Sequence, residues 1–242
     1  MYMRTIRSFD SRRLRRLVTI AVFCAMAYAC QFIFHIRVAF LTFDAKDAIM
    51  AIGSMMFGPL AGVAMSLSVA SLELTISDTG IYGFIMNVAS SMVFTVVSAL
   101  VYRRLRTMKG AVLGLVAAVI SVTSVMMVLN LLVTPYYMGC SVGDVVALIP
   151  ALLLPFNLTK ATLNAGLVLV LYKPLAVALR KAKVRTGNLR PVVPPSAEPK
   201  AEAKPVEKFR LDRMTVTVFV SGLLIVAICL AIFLGFLNGS FS

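Results

Sequence analysis

Long stretches of this chain carry no charged side chain, and they limit what it can fold into. The longest, residues 110–143, lies between Lys109 and Asp144. A membrane-spanning helix needs about 20 predominantly apolar residues, so this run is long enough to cross a bilayer. Hydrophobic residues make up 60% of the 242 residues and charged residues 14%, against roughly 25% charged in soluble domains. The sequence therefore predicts an all-α integral membrane protein.

The distribution of charge predicts how the chain crosses the membrane. Lys and Arg number 24 against 10 Asp and Glu, a net charge of +14, and basic residues concentrate on the cytoplasmic side. If residues 48–72 formed one helix, the basic groups at 4–16 and 103–109 would lie on opposite sides. A turn at 57–62, where Gly-Pro is a strong break signal, places both basic groups on the same side of the membrane. We therefore predict helices at about 17–35, 46–57, 59–76, 81–102, 110–134 and 148–179.

These helices divide the chain into four parts. A basic N-terminal segment, 1–16, is predicted to be cytoplasmic, and a six-helix membrane domain, 17–185, follows it. Residues 186–213 are rich in Pro, Ala, Lys and Glu, which predicts a flexible cytoplasmic linker. The uncharged run 214–237 predicts an additional C-terminal transmembrane helix. This helix could be a plain anchor or a contact surface for a partner protein, and both interpretations stay open.

The sequence lacks the residues that several classes of chemistry require. His35 is the only histidine, which excludes a histidine-based metal cluster or a Ser-His-Asp triad within one chain. The four cysteines form no CxxC motif, and we interpret them as packing residues. No GxxxxGK[ST] phosphate loop is present, so any ATP-driven transport must draw its energy from another subunit. We expect no catalysis, no catalytic cofactor and no bound metal. Because the positive charge follows membrane topology, we expect lipids and not nucleic acid as partners.

Lys160 is the most informative polar residue, because it lies within an otherwise apolar predicted helix. A lysine at membrane depth costs at least ~2.5–3.5 kcal/mol, so it should face a cavity or a partner. The competing interpretation is a lysine that snorkels from a helix end. Asn157 and Asn164 lie three residues before and four after it, which places all three on one helix face.

Further polar residues of the predicted helices could join this site. Asn130 lies late in the fifth predicted helix, with Tyr136 beyond it, and Asn87 lies in the fourth. Either asparagine could instead form an interhelical hydrogen bond, worth ~0.6 kcal/mol on average. Amides donate and accept hydrogen bonds whereas lysine only donates. Such a set suits a neutral polar heterocycle with alternating carbonyl and NH groups.

The loop between the first two predicted helices is the second distinctive feature. Its aromatic, hydroxyl and carboxylate side chains suit a lid over a flat or polyhydroxylated ligand; the candidate lid residues are Phe40, Leu41, Thr42, Phe43 and Asp44. Asp44 and Asp47 also lie where the second helix begins, where acidic residues favour the helix dipole. For Asp47 we favour the helix cap.

The first predicted helix carries small residues at intervals of four, namely Ala21, Ala25 and Ala29. Such a face lets two helices approach closely. It could serve internal packing or docking to a separate membrane subunit.

Three segments together resemble a known family. FLTFDAKDAIMAIGSMMFGPLAG, NLLVTPYYMG and LLPFNLTKATLNAGLVLVLYKPL are similar, in order and spacing, to riboflavin-specific S components of energy-coupling factor (ECF) transporters, over about residues 12–180. The resemblance implies a six-helix substrate-capture protein that binds a vitamin near the outer surface. It also implies two kinds of partner, a transmembrane coupling protein and two cytoplasmic ATPase subunits. Lys46 and the segment after Arg185 depart from the family pattern.

The resemblance also implies roles for individual residues. Asn130, Asn157 and Lys160 fall where the isoalloxazine ring is held, the 40–44 loop covers ring and ribityl chain, and the alanine face docks to the coupling protein. We therefore expect a riboflavin-uptake subunit of a bacterial plasma membrane, with FMN as a further possible ligand. The alternatives are an S component for another vitamin or an ion-gradient-driven transporter with Lys160 or Asp44 in the coupling.

Overall fold

A computed structural model describes residues 11–33, 36–38, 41–181 and Val220. Most of this part of the chain is helical. The helices are α1 (Ser11–Ile33), α2 (Lys46–Phe57), α3 (Pro59–Leu74), α4 (Gly80–Leu105), α5 (Met108–Met138), α6 (Val142–Leu148) and α7 (Leu154–Lys181), and the strands are β1 (Ile36–Val38) and β2 (Leu41–Phe43). A π-helical turn, Ile149–Leu153, joins α6 to α7. The predicted cytoplasmic segment 1–16 lies mostly outside the described residues, as do the linker 186–213 and, except for Val220, the helix predicted at 214–237.

The predicted break in the 48–72 run is confirmed at Gly58. Its φ of 100° lies in a region that only glycine adopts readily, and its N–H donates to the carbonyl of Ser54. Helix α2 ends at Phe57, and α3 begins at Pro59. Proline suits the first turn of a helix, because an N–H there would have no helical partner. The two short helices therefore form a hairpin.

Helix α2 is the centre of the domain. All of its residues, Lys46–Phe57, are buried, and it packs against α1, α3, α4 and α7. Its 12 residues span only ~18 Å, too short for a ~30 Å hydrocarbon core. Because protein surrounds it on every side, polar groups can be satisfied there without meeting lipid.

Four outer segments are long and apolar enough to cross a membrane. They are Arg13–Ile33, Gly80–Leu105, Met108–Met138 and Val142–Tyr172. Large apolar side chains point outward from these and neighbouring helices, as the 74% exposure of Ile33 and the 82% exposure of Leu60 illustrate. Such surfaces are stable in lipid. The chain is a multi-pass membrane protein.

Several helices extend beyond their predicted ends. Helix α1 begins at Ser11 and not at 17, and α4 ends at Leu105 and not at 102. Helix α5 continues through Pro135 to Met138, where the φ of 64° at Gly139 stops it. The sixth predicted helix, 148–179, begins earlier, at Val142, where Ser141 and Asp144 form a reciprocal capping box. The π-helical turn then absorbs the irregularity at Pro150.

The loop predicted as a lid contains a short β-hairpin. Strands β1 and β2 pair antiparallel, with Ile36 opposite Phe43 and Val38 opposite Leu41. The sequence did not predict these strands, because three residues are too few for alternation to register. His35 and the predicted lid residue Phe40 lie outside the described residues.

Candidate functional site

Lys160 reaches from the second turn of α7 to the segment that follows the hairpin. Its Nζ donates to Oδ2 of Asp44 at 2.9 Å and to the carbonyl of Thr42 at 3.0 Å. The lysine side chain is 12% exposed and the carboxylate 5%. Lys160 therefore pairs with a buried partner, as predicted from its position, and does not snorkel to a helix end.

Asn164 lies one turn beyond Lys160 on α7, and its side-chain amide caps the N-terminal end of α2. Its Oδ1 accepts the N–H of Ala48 at 2.9 Å, and its Nδ2 donates to the carbonyls of Asp44 and Lys160. Ala45 occupies the N-cap position of α2 and offers no side-chain acceptor. The amide of Asn164 therefore satisfies an N–H that a helix start leaves unpaired.

The prediction that Asp47 caps α2 is wrong. Asp47 lies inside the first turn, and its carboxylate accepts a hydrogen bond from the hydroxyl of Ser91 on α4. The acid still lies near the positive end of the helix dipole. Its hydrogen bond, however, joins α2 to α4, and Asn164 accepts the N–H of Ala48 in its place.

A second buried lysine lies beside the first. Nζ of Lys46 is 2.6 Å from both carboxylate oxygens of Glu73 and 3.7 Å from Oδ2 of Asp44. Glu73 also accepts from Nδ2 of Asn87 at 3.1 Å. The predicted helices 46–57 and 59–76 include Lys46 and Glu73, but the sequence interpretation did not predict that the two residues pair. One signal was available, because both residues lie at similar chain distances from the Gly58 turn and so meet across the α2–α3 hairpin.

Ion pairs join Asp44, Lys46, Glu73 and Lys160, and the carboxylate of Asp47 interacts electrostatically with them. We call these five residues the buried ionic cluster. Three carboxylates and two ammonium groups share it, and buried charges persist only when paired in this way. Burial alone would raise the pKa of Asp44, but the charges of Lys160 and Lys46 outweigh it and hold the pKa below its usual value. Oδ1 of Asp44 is buried without a hydrogen-bond partner among the described residues.

A small cavity adjoins this cluster where α2, α4, α5 and α7 meet. Its lining residues are Asp47, Ser90, Phe94, Val122, Asn157, Lys160, Ala161 and Asn164. The volume is about 10 Å³, room for about one water molecule. The predicted row on α7 therefore does converge on one cavity. The sequence interpretation missed the four residues Ser90, Phe94, Val122 and Ala161, because small and apolar residues are common throughout a membrane helix.

The other predicted polar contacts lie away from this cavity lining. Asn130 is 1% exposed, donates to the carbonyl of Met126 and accepts from Thr134. Asn87 pairs with Glu73. Tyr136 is 77% exposed near the end of α5. Within the cavity lining, Asn157 donates to the carbonyl of Leu153.

The hairpin is held to α7 by apolar as well as ionic contacts. The rings of Phe43 and Phe156 meet with centroids 4.4 Å apart, and Leu41 packs against the same pair. Thr42 contributes its carbonyl to Lys160. The described lid residues therefore cover the α7 face that carries the polar row.

The alanine face of α1 points away from the domain. Ala21, Ala25 and Ala29 are exposed, whereas Phe23 and Ala27 fill the core. Internal packing within the described chain thus uses the opposite side of the helix.

The helical architecture is that of a class of membrane transport component. The family model for the ECF transporter substrate-specific component matches residues 15–172, and the chain belongs to this family. It is a family of transporter components and not of enzymes.

Individual relatives agree with this assignment. The riboflavin transporter RibU of Staphylococcus aureus (strain TCH60) is 28% identical over 184 residues, which are 72% of this chain and 97% of the relative. The riboflavin transporter FmnP of Bacillus subtilis (strain 168) is 25% identical over 188 residues, 71% of this chain and 99% of the relative. A solved S component of a bacterial ECF transporter superposes with a TM-score of 0.61 at 27% identity, covering 69% of this chain and 99% of that one.

Proposed function

We propose that this chain is the riboflavin-capture subunit of an ECF-type vitamin importer. The observation that carries the proposal is the row Asn157, Lys160 and Asn164 at one cavity beneath the hairpin. Two curated relatives that align over nearly their whole lengths are riboflavin transporters. Family membership favours this role over the ion-gradient-driven transporter considered as an alternative.

The chemistry of the row suits the ligand. Riboflavin offers a ring edge with alternating carbonyl and NH groups, which Asn130, Asn157 and Lys160 would bind by donating and accepting. Phe40, Leu41, Thr42, Phe43 and Asp44 would cover the ring and the ribityl chain. Asn87 and Asn164 would support the site by holding Glu73 and the start of α2. Tyr136 stays a predicted contact at the rim.

Capture requires the site to rearrange. Pockets for ligands of this kind measure ~300–1,000 Å³, far more than the cavity's volume of about 10 Å³. Displacement of the hairpin, whose described contacts with α7 are few, would enlarge the cavity. Lys160 must then exchange Asp44 and Thr42 for the ligand. Riboflavin is thus a substrate and not a cofactor. FMN could also enter the site if its phosphate stays outside the hairpin.

The transport cycle requires partners. A transmembrane coupling protein and two cytoplasmic ATPase subunits would supply the energy, with the exposed alanine face of α1 as the docking surface. The N-terminus would lie in the cytoplasm of a bacterial plasma membrane, on the side of the basic block Arg103–Lys109. The site would then open outward.

The test is to purify the full chain in detergent from flavin-replete cells and identify any small molecule released on denaturation by chromatography. Riboflavin in proportion to protein supports the proposal. Another vitamin in its place contradicts it. Uptake into vesicles that requires the ATPase subunits, and not an ion gradient, tests the energy source.

A further inference from the structure

Asp44 lies between two lysines that share one of its oxygens. Oδ2 is 2.9 Å from Nζ of Lys160 and 3.7 Å from Nζ of Lys46. Asp44 is 5% exposed and Lys46 only 3%. Water therefore has little access to replace either ammonium group, so the charge of Asp44 depends on the two lysines.

If riboflavin is the substrate, one of these two contacts must break. Lys160 lines the cavity, so its ammonium is the group that a ligand can reach. Once it turns to the ligand, Asp44 would be left as a buried carboxylate, and a buried carboxylate without a counter-charge is strongly disfavoured. Ligand binding would then have to offset that cost.

Lys46 is held by contacts that this exchange does not involve. It is the first residue of α2, and Glu73 holds its ammonium with both carboxylate oxygens. Asn87 in turn fixes Glu73 from α4. None of these three residues lines the cavity. The ammonium of Lys46 therefore stays beside Asp44 whether or not Lys160 moves.

We propose that Lys46 is a positioning residue for vitamin capture, which keeps Asp44 neutralised and so frees Lys160 to bind the ligand. This inference rests on the proposed function. Lys46 acts through Lys160 and never touches the ligand.

A double-mutant cycle on the full chain tests the coupling. Lys46→Met combined with Glu73→Gln removes the ammonium without leaving a bare carboxylate. The riboflavin Kd of this variant should rise about tenfold or more, which corresponds to about 1.4 kcal/mol. In a Lys160→Met, Asp44→Asn background, which leaves no unpaired carboxylate at position 44, the same two changes should alter Kd less than about threefold, because neither the lysine to be released nor the carboxylate to be neutralised is present. Equal factors in both backgrounds overturn the inference.

Two further variants separate this role from a structural one. Lys46→Arg retains the charge and should lose much less affinity than the uncharged pair; a loss as large as theirs contradicts the proposal. Lys46→Gln with Glu73→Gln keeps a hydrogen-bonding pair and serves the same cycle if the Met variant does not fold. A wild-type chain that fails to bind riboflavin refutes the proposed function. A binding wild type with additive variants refutes only the inference about Lys46.

Discussion

Lys160 and Asp44 lie 116 residues apart in sequence, yet Nζ of the lysine is 2.9 Å from Oδ2 of the aspartate. The contact joins the second turn of α7 to the segment between the hairpin and α2. Asn164 joins the same two regions through the Asp44 carbonyl and the Ala48 N–H. These contacts link the segment after the hairpin, the start of the central helix and the row of polar side chains on α7.

Lys160→Met should weaken riboflavin binding about tenfold to more than a hundredfold. The loss reflects a charge-assisted hydrogen bond, worth ~1.5–3 kcal/mol. Binding is measured by quenching of flavin fluorescence. Lys109→Met is the matched control, since Lys109 is exposed at the start of α5. If Lys160→Met binds as tightly as wild type, Lys160 is not in the site.

Asn164→Leu should lower the free energy of unfolding by ~1–3 kcal/mol, because it leaves the buried N–H of Ala48 unpaired. Denaturant unfolding in detergent measures the change. Asn157→Leu is the comparison, since the side chain of Asn157 donates to the carbonyl of Leu153 in the preceding turn and not to the start of α2. Equal losses in the two variants would show that Asn164 does not cap α2.

Gly114→Ala should separate α5 from α4. An added Cβ would lie 2.8 Å from the backbone oxygen of Ser98, which cannot turn aside. Overpacking of this kind costs ~1–3 kcal/mol of stability. Gly143→Ala meets its nearest atom, Oγ of Ser141, at 3.5 Å, and should be neutral or stabilising by up to ~1 kcal/mol. A stable Gly114→Ala variant contradicts the close approach of the two helices.

Deletion of residues 190–242 should leave riboflavin affinity within about twofold of the full chain, less than ~0.5 kcal/mol. The family match ends at residue 172, and every residue assigned to the site precedes it. The readout is the same flavin titration, with the unfolding curve as a check on folding. A truncated chain that folds but does not bind refutes the placement of the site.

The sequence was most informative where one residue type has few physical options. A lysine inside an apolar helix must find a partner, and Lys160 did. The Gly58-Pro59 pair had to break the 48–72 run, and the parity of basic blocks required that break. Helical spacing predicted that Asn157, Lys160 and Asn164 share one helix face, and all three line one cavity.

The sequence was least informative about contacts between distant segments. Lys46 and Glu73 lie near the ends of two different predicted helices, and only the α2–α3 hairpin brings their charged groups within 2.6 Å. The position of Asp47 fitted a local helix cap, but its carboxylate accepts a hydrogen bond from Ser91, which lies on another helix. Three-residue strands carry no periodic signal, so the hairpin β1–β2 was read as loop.

The central claim is that this chain captures riboflavin, and direct titration tests it. Riboflavin is titrated into the purified full chain, and the bound flavin is then challenged with an excess of each other vitamin in turn. The account predicts saturable quenching with one riboflavin per chain, which unrelated vitamins do not reverse. Absence of quenching, or displacement of riboflavin by an unrelated vitamin, would contradict it.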